Sequence, residues 1–148
     1  MVLLILQANM TRFMNSSIFI DTSALIAIMN KKDQYHARAI DIFTATAKGK
    51  NSIIITSHVF AETITRIERK VSVKQAILAG KMLLNNNGIK IIIPQEDIID
   101  SAWNIFQKYQ DQEFSFVECI SFAVMKEMRI TKAFAFDKHF KIVGFETL

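Results

Sequence analysis

The chain is poor in cysteine, proline and glycine, and each scarcity excludes a class of protein or site. Cys119 is the single cysteine among 148 residues, so no disulfide can form within the chain and a cysteine-ligated zinc site is not expected. One proline and four glycines exclude a collagen-like repeat, a glycine-rich linker and a glycine loop that cradles phosphates. No apolar run approaches the ~20 residues that span a bilayer. We therefore expect a cytoplasmic protein that does not enter a membrane.

The chain is rich in apolar residues and carries a modest excess of positive charge. Hydrophobic residues make up 51% of the sequence, which is enough to build one domain with a sizeable core. Trp103 and the twelve phenylalanines are assigned to that core. Lys and Arg outnumber Asp and Glu by 18 to 14, a balance compatible with a polyanionic partner. Solvated helix ends are the ordinary alternative for each small basic group.

The first residues, MVLLILQ, have the apolar character of a signal sequence but not its other parts. They lack a charged leader, and no small-residue cleavage site follows them. The pattern of a folded domain begins near Ser16. We expect residues 1–15 to be a poorly packed N-terminal extension and residues 16–148 to form a single domain.

Short apolar runs alternate with amphipathic stretches, which is the pattern of an α/β protein with a mainly parallel sheet. The apolar runs predict strands at residues 17–20, 52–56, 89–93 and 133–136, and a last short strand at 142–145. The stretches between them predict helices at residues 22–30, 35–48, from 57 onward, 72–85, 96–109 and 115–128. Glycine, proline and capping residues mark several of these boundaries.

Four acidic residues each lie beside an apolar run: Asp21, Glu62, Glu118 and Asp137. Carboxylates are rarely buried unless they are paired or bound to a cation. Asp21 and Asp137 follow predicted strands, and the other two lie early in predicted helices. In open α/β sheets, ligands bind at the carboxyl ends of the strands, so the four could meet there. Their mutual repulsion would be relieved by protonation or by a metal ion, and an all-oxygen site suits Mg²⁺ or Mn²⁺.

Each of these acids also has an ordinary structural explanation. Asp21 is a preferred N-cap residue for the helix that follows it. Glu62 precedes Arg66 by four residues, the spacing of a common ion pair on a helix surface. Asp137 fits a turn. Residues 115–118, Ser-Phe-Val-Glu, form a capping box in which Glu118 turns back to the backbone and becomes less available to a metal.

The remaining reactive residue types carry little signal. The three histidines, His36, His58 and His139, are scattered without metal-ligand spacing and are interpreted as surface or packing residues. Cys119 lies in an apolar helix with no His or Lys placed to activate it, so it is expected to be a small core residue.

Three segments together resemble the PIN domain family of metal-dependent ribonucleases, especially the stand-alone prokaryotic members related to VapC toxins. IFIDTSAL is similar to the opening strand with its first Asp, and HVFAETI to the segment with the helical Glu. FSFVECISFAVMKEMRITKAFAFDKHF resembles the closing pattern with its Ser, its third acid and the Phe-Asp-x-x-Phe ending. The resemblance extends from about Ile18 to Phe145.

The resemblance implies a three-layer α/β/α sandwich with a mainly parallel central sheet. It implies that the four acids bind Mg²⁺ or Mn²⁺, that Ser23 fixes the first carboxylate, and that Ser115 supports the third. The metal, held mainly by Asp21, Glu118 and Asp137, would activate a water that attacks an RNA phosphodiester. Glu62 would orient or deprotonate that water, or help to bind a second metal. RNA, an antitoxin protein and a second copy of the chain are the implied partners.

One residue departs from the family pattern. The third acid is usually Asp, whereas this chain has Glu118. One extra methylene moves the carboxylate by about a bond length, which near-octahedral Mg²⁺ tolerates poorly. The main alternative function is therefore a non-catalytic PIN-like module that binds a partner protein through its acidic pocket. A phosphatase acting on small molecules is a weaker alternative, because nothing in the sequence indicates a closed substrate pocket.

Overall fold

The computed structural model describes residues 1–15 and 17–148, and the side chains of residues 9–15 lie outside that description. Within it, α-helices and β-strands alternate after an N-terminal helix. The elements, in chain order, are α1 (Val2–Asn15), β1 (Ser17–Ile20), α2 (Thr22–Met29), α3 (His36–Lys48), β2 (Ser52–Thr56), α4 (Ser57–Lys70), α5 (Val73–Leu84), β3 (Ile89–Ile92), α6 (Glu96–Lys108), α7 (Phe116–Glu127), β4 (Lys132–Phe134), α8 (His139–Val143) and β5 (Glu146–Thr147).

The described strands form a five-stranded sheet in the order β3-β2-β1-β4-β5, and every pairing is parallel. β1 lies in the middle, with Phe19 aligned to Ile54 of β2 on one side and to Ala133 of β4 on the other. The buried isoleucines at Ile53–Ile55 are β-branched, and such runs favour the central strands of a parallel sheet. The predicted α/β fold with a parallel sheet is confirmed.

The connections place helices on both faces of the sheet. The chain moves outward in one direction from β1 to β2 to β3, and then crosses back to β4 on the other side of β1. Because parallel crossovers are almost always right-handed, this reversal puts α2 to α5 on one face and α6 with α7 on the other. The contacts of α2 with α3 and α4, and of α6 with α7, agree with these two helical layers.

The core lies between these layers and is dominated by buried aromatic and branched side chains. Phe19, Phe122, Phe134 and Phe140 are all fully buried. The assignment of Trp103 and the phenylalanines to the core is wrong for one group: Trp103, Phe106 and Phe116 are 51%, 39% and 37% exposed and pack on one another. The side chain of Phe13 lies outside the described residues.

The C-terminal segment also differs from the prediction. Ile142 and Val143 belong to α8, and the last strand, β5, comes after them. Gly144 ends α8 with a φ of 103°, a left-handed conformation that glycine adopts readily. The N–H of Phe145 then donates to the carbonyl of Phe140, so the apolar run is a helix C-terminus rather than a strand.

Residues 2–15 form helix α1, and the side chains of residues 1–6 are 54–94% exposed. The predicted domain start at Ser16 lies outside the described residues. Among the described helices, none has the length and apolarity needed to cross a membrane.

Candidate metal centre

Three of the four predicted acids meet at the carboxyl edge of the sheet. Asp21 directly follows β1, Asp137 follows β4 after two residues, and Glu118 lies in the first turn of α7. β1 and β4 are neighbours that the chain leaves in opposite directions along the sheet. This is the switch point at which open α/β sheets bind ligands.

Asp21 is held by its own helix start and by the neighbouring strand. It caps α2, with one carboxylate oxygen, Oδ2, accepting from the Ser23 backbone N–H at 3.1 Å and from the Ser23 hydroxyl at 2.8 Å. The same hydroxyl accepts from the backbone N–H of Phe136 at 3.2 Å. Ser23 therefore ties the carboxylate after β1 to the chain after β4, one residue before Asp137.

Glu118 and Asp137 are linked through His139. The Glu118 side chain completes the predicted capping box, with Oε2 accepting from the Ser115 backbone N–H at 2.7 Å. Its other oxygen, Oε1, lies 2.8 Å from Nδ1 of His139. Asp137 accepts from the backbone N–H of His139 at 2.9 Å. Ligand atoms of Glu118, Asp137 and His139 all lie within 4.8 Å of one another.

The electrostatics of the site oppose the accumulation of negative charge. Burial raises the pKa of Asp21 to about 6, and the charges of Asp137 and Glu118 contribute to the increase, while the hydrogen bonds from Ser23 oppose it. Burial also raises the pKa of Asp137, assisted by the charge of Glu118 and opposed by its contacts with His139. The charges of Asp137 and Glu118 thus act on Asp21, and that of Glu118 acts on Asp137, a repulsion that a bound cation would relieve.

Glu62 lies on α4 and connects to the group through Thr22, the residue after Asp21. The Thr22 hydroxyl donates to Glu62 Oε2 at 2.6 Å. Glu62 Oε1 accepts from Nη2 of Arg66 at 2.6 Å, which is the ion pair that the spacing predicted. Each oxygen keeps a second lone pair, so Glu62 can still accept one more hydrogen bond or proton.

The donor set fits a hard divalent cation. Carboxylate oxygens supply the negative charge, and all-oxygen or mainly oxygen sites suit Mg²⁺ and Mn²⁺. Cys119, next to Glu118, does not add a thiolate ligand, because its side chain is fully buried and burial raises the pKa of its thiol to about 11. This agrees with its predicted role as a small core residue.

Comparison with known proteins identifies the family. Residues 18–146 match the PIN domain. The chain belongs to the PIN domain family. It is 33% identical over 129 residues to VapC20 of Mycobacterium tuberculosis, named a 23S rRNA-specific endonuclease in both strain CDC 1551 / Oshkosh and strain H37Rv. The alignment covers 86% of this chain and 95% of the relative.

Solved structures share the architecture of this PIN domain. The crystal structure of M. tuberculosis VapC20, a toxin that cleaves the sarcin–ricin loop, superposes with a TM-score of 0.80 at 30% identity and covers 86% of this chain and 95% of that one. FitAcB from Neisseria gonorrhoeae gives 0.67, covering 88% and 96%. VapBC2 from Rickettsia felis, bound to a promoter DNA fragment, gives 0.64, covering 89% and 97%. The last two are 12% identical to this PIN domain and show likeness of fold alone.

A basic cleft adjoins the acidic group of this PIN domain. Its lining includes His58, Glu62, Arg66 and Arg69 from α4, and Val117 from the first turn of α7. Arg66 and Arg69 are exposed, and Arg66 pairs with the carboxylate of Glu62 in the same cleft. Anionic groups such as phosphates would be attracted to this rim.

Sequence reasoning missed two residues of this arrangement. His139, interpreted as a surface or packing residue, does pack on Phe114, with 5.0 Å between ring centroids, but its ring also contacts Glu118. The available signal was its position two residues after Asp137. The contact of Thr22 with Glu62 was not predicted, although Thr22 directly follows the first acid.

Proposed function

We propose that this PIN domain is a divalent-metal-dependent endoribonuclease and the toxin of a toxin–antitoxin pair. The observation that carries the proposal is the meeting of Asp21, Glu118 and Asp137 at the switch point of the sheet. Burial, assisted by the charges of neighbouring carboxylates, raises the pKa of Asp21 and that of Asp137. Similarity to VapC20 over most of both chains indicates which chemistry such a site performs.

Asp21, Glu118 and Asp137 would hold the cation, with Mg²⁺ or Mn²⁺ as the proposed ion. When bound, the cation supplies Lewis-acid stabilisation of the phosphoryl oxygens and lowers the pKa of a water. Ser23 keeps Asp21 oriented through two hydrogen bonds, so little reorganisation is needed when the site is filled.

Glu62 would orient and deprotonate the attacking water. Thr22 and Arg66 fix its carboxylate, each through one oxygen. Its remaining lone pairs can orient a water and accept its proton as the water oxygen attacks phosphorus and the leaving ribose oxygen departs. Arg66 and Arg69 would bind backbone phosphates along the rim, which positions RNA without reading its bases.

Large-subunit ribosomal RNA is the first substrate to test, since VapC20 is named for its action on 23S rRNA. The proposed partners are that RNA, an antitoxin protein and a second copy of the chain. Exposed aromatic surface at Trp103, Phe106 and Phe116 offers area that a protein partner could cover.

Cleavage of ribosomal RNA with increasing Mg²⁺ or Mn²⁺ tests the proposal. We expect cleavage that depends on added metal, stops with chelator, and is lost in Asp21→Asn and Asp137→Asn, because each change removes a negative ligand while keeping size and hydrogen-bonding capacity. Asp100→Asn, an exposed change on α6, is the matched control. Full cleavage by both site variants would overturn the assignment, and a parent chain that binds metal without cleaving RNA would favour the non-catalytic module.

A further inference from the structure

The two carboxylate oxygens of Glu118 make different contacts. Oε2 is engaged by the Ser115 backbone N–H in the capping box, and the Ser115 hydroxyl accepts in return from the Glu118 backbone N–H at 3.1 Å. Oε1 is therefore the oxygen more available to a cation. A glutamate has one more rotatable bond than an aspartate, so without a second contact Oε1 could move away from Asp137.

His139 supplies that second contact. A carboxylate oxygen accepts hydrogen bonds, so Nδ1 of His139 is the donor to Oε1 of Glu118 at 2.8 Å. This Nδ1 lies farther, 3.9 Å, from Oδ1 of Asp137. The backbone N–H of the same histidine holds that Oδ1 at 2.9 Å. One residue thus contacts both carboxylates, with its ring on one and its backbone on the other.

The surroundings of His139 keep its ring in place. The side chain is 21% exposed, and the ring packs on Phe114. Phe114 itself is buried and packs edge-on against Phe122 in the core. The position of Nδ1 is therefore set by the core rather than by a mobile surface segment.

We propose that His139 is a positioning residue of the metal centre, which holds Oε1 of Glu118 at the distance from Asp137 that one cation requires. This inference rests on the proposed function. It explains how a glutamate can serve at a position where a shorter acid is usual: the capping box and the histidine remove the freedom that the extra methylene adds. Residues that hydrogen-bond metal ligands commonly change metal affinity by about 10- to 100-fold when they are removed.

Two substitutions separate this role from simple packing. His139→Phe keeps an aromatic ring against Phe114 but removes the donor. His139→Asn loses the ring but can place an amide N–H near the position of Nδ1. If His139 acts through its hydrogen bond, the asparagine variant retains metal affinity and the phenylalanine variant loses it; a packing role predicts the reverse order.

Calorimetric titration of Mn²⁺ into the full chain at pH 7.5 is the test, with the Tm in chelator as a check on folding. We expect His139→Phe to weaken Mn²⁺ binding by about tenfold or more with little change in that Tm, and His139→Asn to stay within about threefold of the parent. Glu118→Gln should weaken Mn²⁺ binding as well. The double variant Glu118→Gln/His139→Phe should bind Mn²⁺ no more weakly than Glu118→Gln alone, because the histidine acts through the carboxylate that Glu118→Gln already removes.

Three results would overturn the inference. His139→Phe could bind Mn²⁺ as tightly as the parent, or His139→Asn could bind it as weakly as His139→Phe. The losses of affinity caused by Glu118→Gln and His139→Phe could also add in the double variant. The first of these, with a parent chain that binds Mn²⁺, rejects the role of His139 and leaves the proposed function intact. A parent chain that binds no Mn²⁺ rejects both.

Discussion

At the scale of single residues, the buried carboxylate of Asp21 lowers the free energy of unfolding of the metal-free protein. Its carboxylate is 4% exposed, and burial raises its pKa to about 6 from an ordinary 3.8. Between these two values the unfolded chain releases the proton while the folded chain keeps it. The free energy of unfolding therefore falls as pH rises from about 4 to 6, and the full cost is present above pH 6.

Replacing this carboxylate with an amide should stabilise the metal-free protein. In chelator at pH 7.5, we expect Asp21→Asn to raise the free energy of unfolding by up to about 3 kcal/mol, the equivalent of the raised pKa, because asparagine carries no charge to bury. The gain should fade below pH 4, where Asp21 is neutral in both states. Urea unfolding at several pH values measures it.

Asp100→Asn is again the control, since Asp100 is exposed on α6 and should change stability little at any pH. A gain for Asp21→Asn of equal size at pH 4 and pH 7.5 would show that charge is not its cause. No gain at pH 7.5 would show that Asp21 is better solvated or better paired than its burial indicates.

At the scale of elements, helix α1 stands apart from the rest of the chain. The side chains of residues 2–6 are 54–73% exposed, whereas every residue of β1 is buried. Most helical stability in proteins comes from packing an apolar face, and the apolar side chains at residues 2–6 of this helix are exposed. We propose on this basis that residues 1–15 are an extension that the domain does not need.

A chain that begins at Met14 tests this. We expect its Tm to lie within about 2 °C of the full chain, a difference of less than about 1 kcal/mol. A chain that begins at Phe19, and so loses half of β1, is the control and should fail to fold. A fall of more than about 4 °C for the Met14 chain would mean that α1 packs as part of the domain.

Elements were predictable where the local pattern was long enough. Buried runs such as Ile53–Ile55 predicted strands, and Ser115 with Glu118 predicted the capping box that begins α7. Helix α8 was not predicted, because it has five residues and too few turns to show a helical period. Gly144, a typical helix C-terminal residue, was the available signal.

At the scale of the whole molecule, the order of the strands decides what the site contains. The sequence predicts that acids follow strands, but not that β1 and β4 are neighbours, since that pairing joins segments far apart in the chain. The same holds for the contact between His139 and Glu118, which are 21 positions apart. Such contacts depend on tertiary packing, and no pattern in neighbouring residues of the sequence indicates them.

We propose that Asp21, Glu118 and Asp137, which lie after β1, on α7 and after β4, bind one divalent cation together. Calorimetric titration of Mg²⁺ and Mn²⁺ into the parent chain and Asp137→Asn, at pH 7.5 where Asp21 is charged, tests it most directly. We predict one site per chain in the parent and an affinity at least about tenfold lower in Asp137→Asn, a loss of about 1.4 kcal/mol. Asp111→Asn, on an exposed loop, should bind as the parent does. Equal binding by the parent and Asp137→Asn would contradict the account.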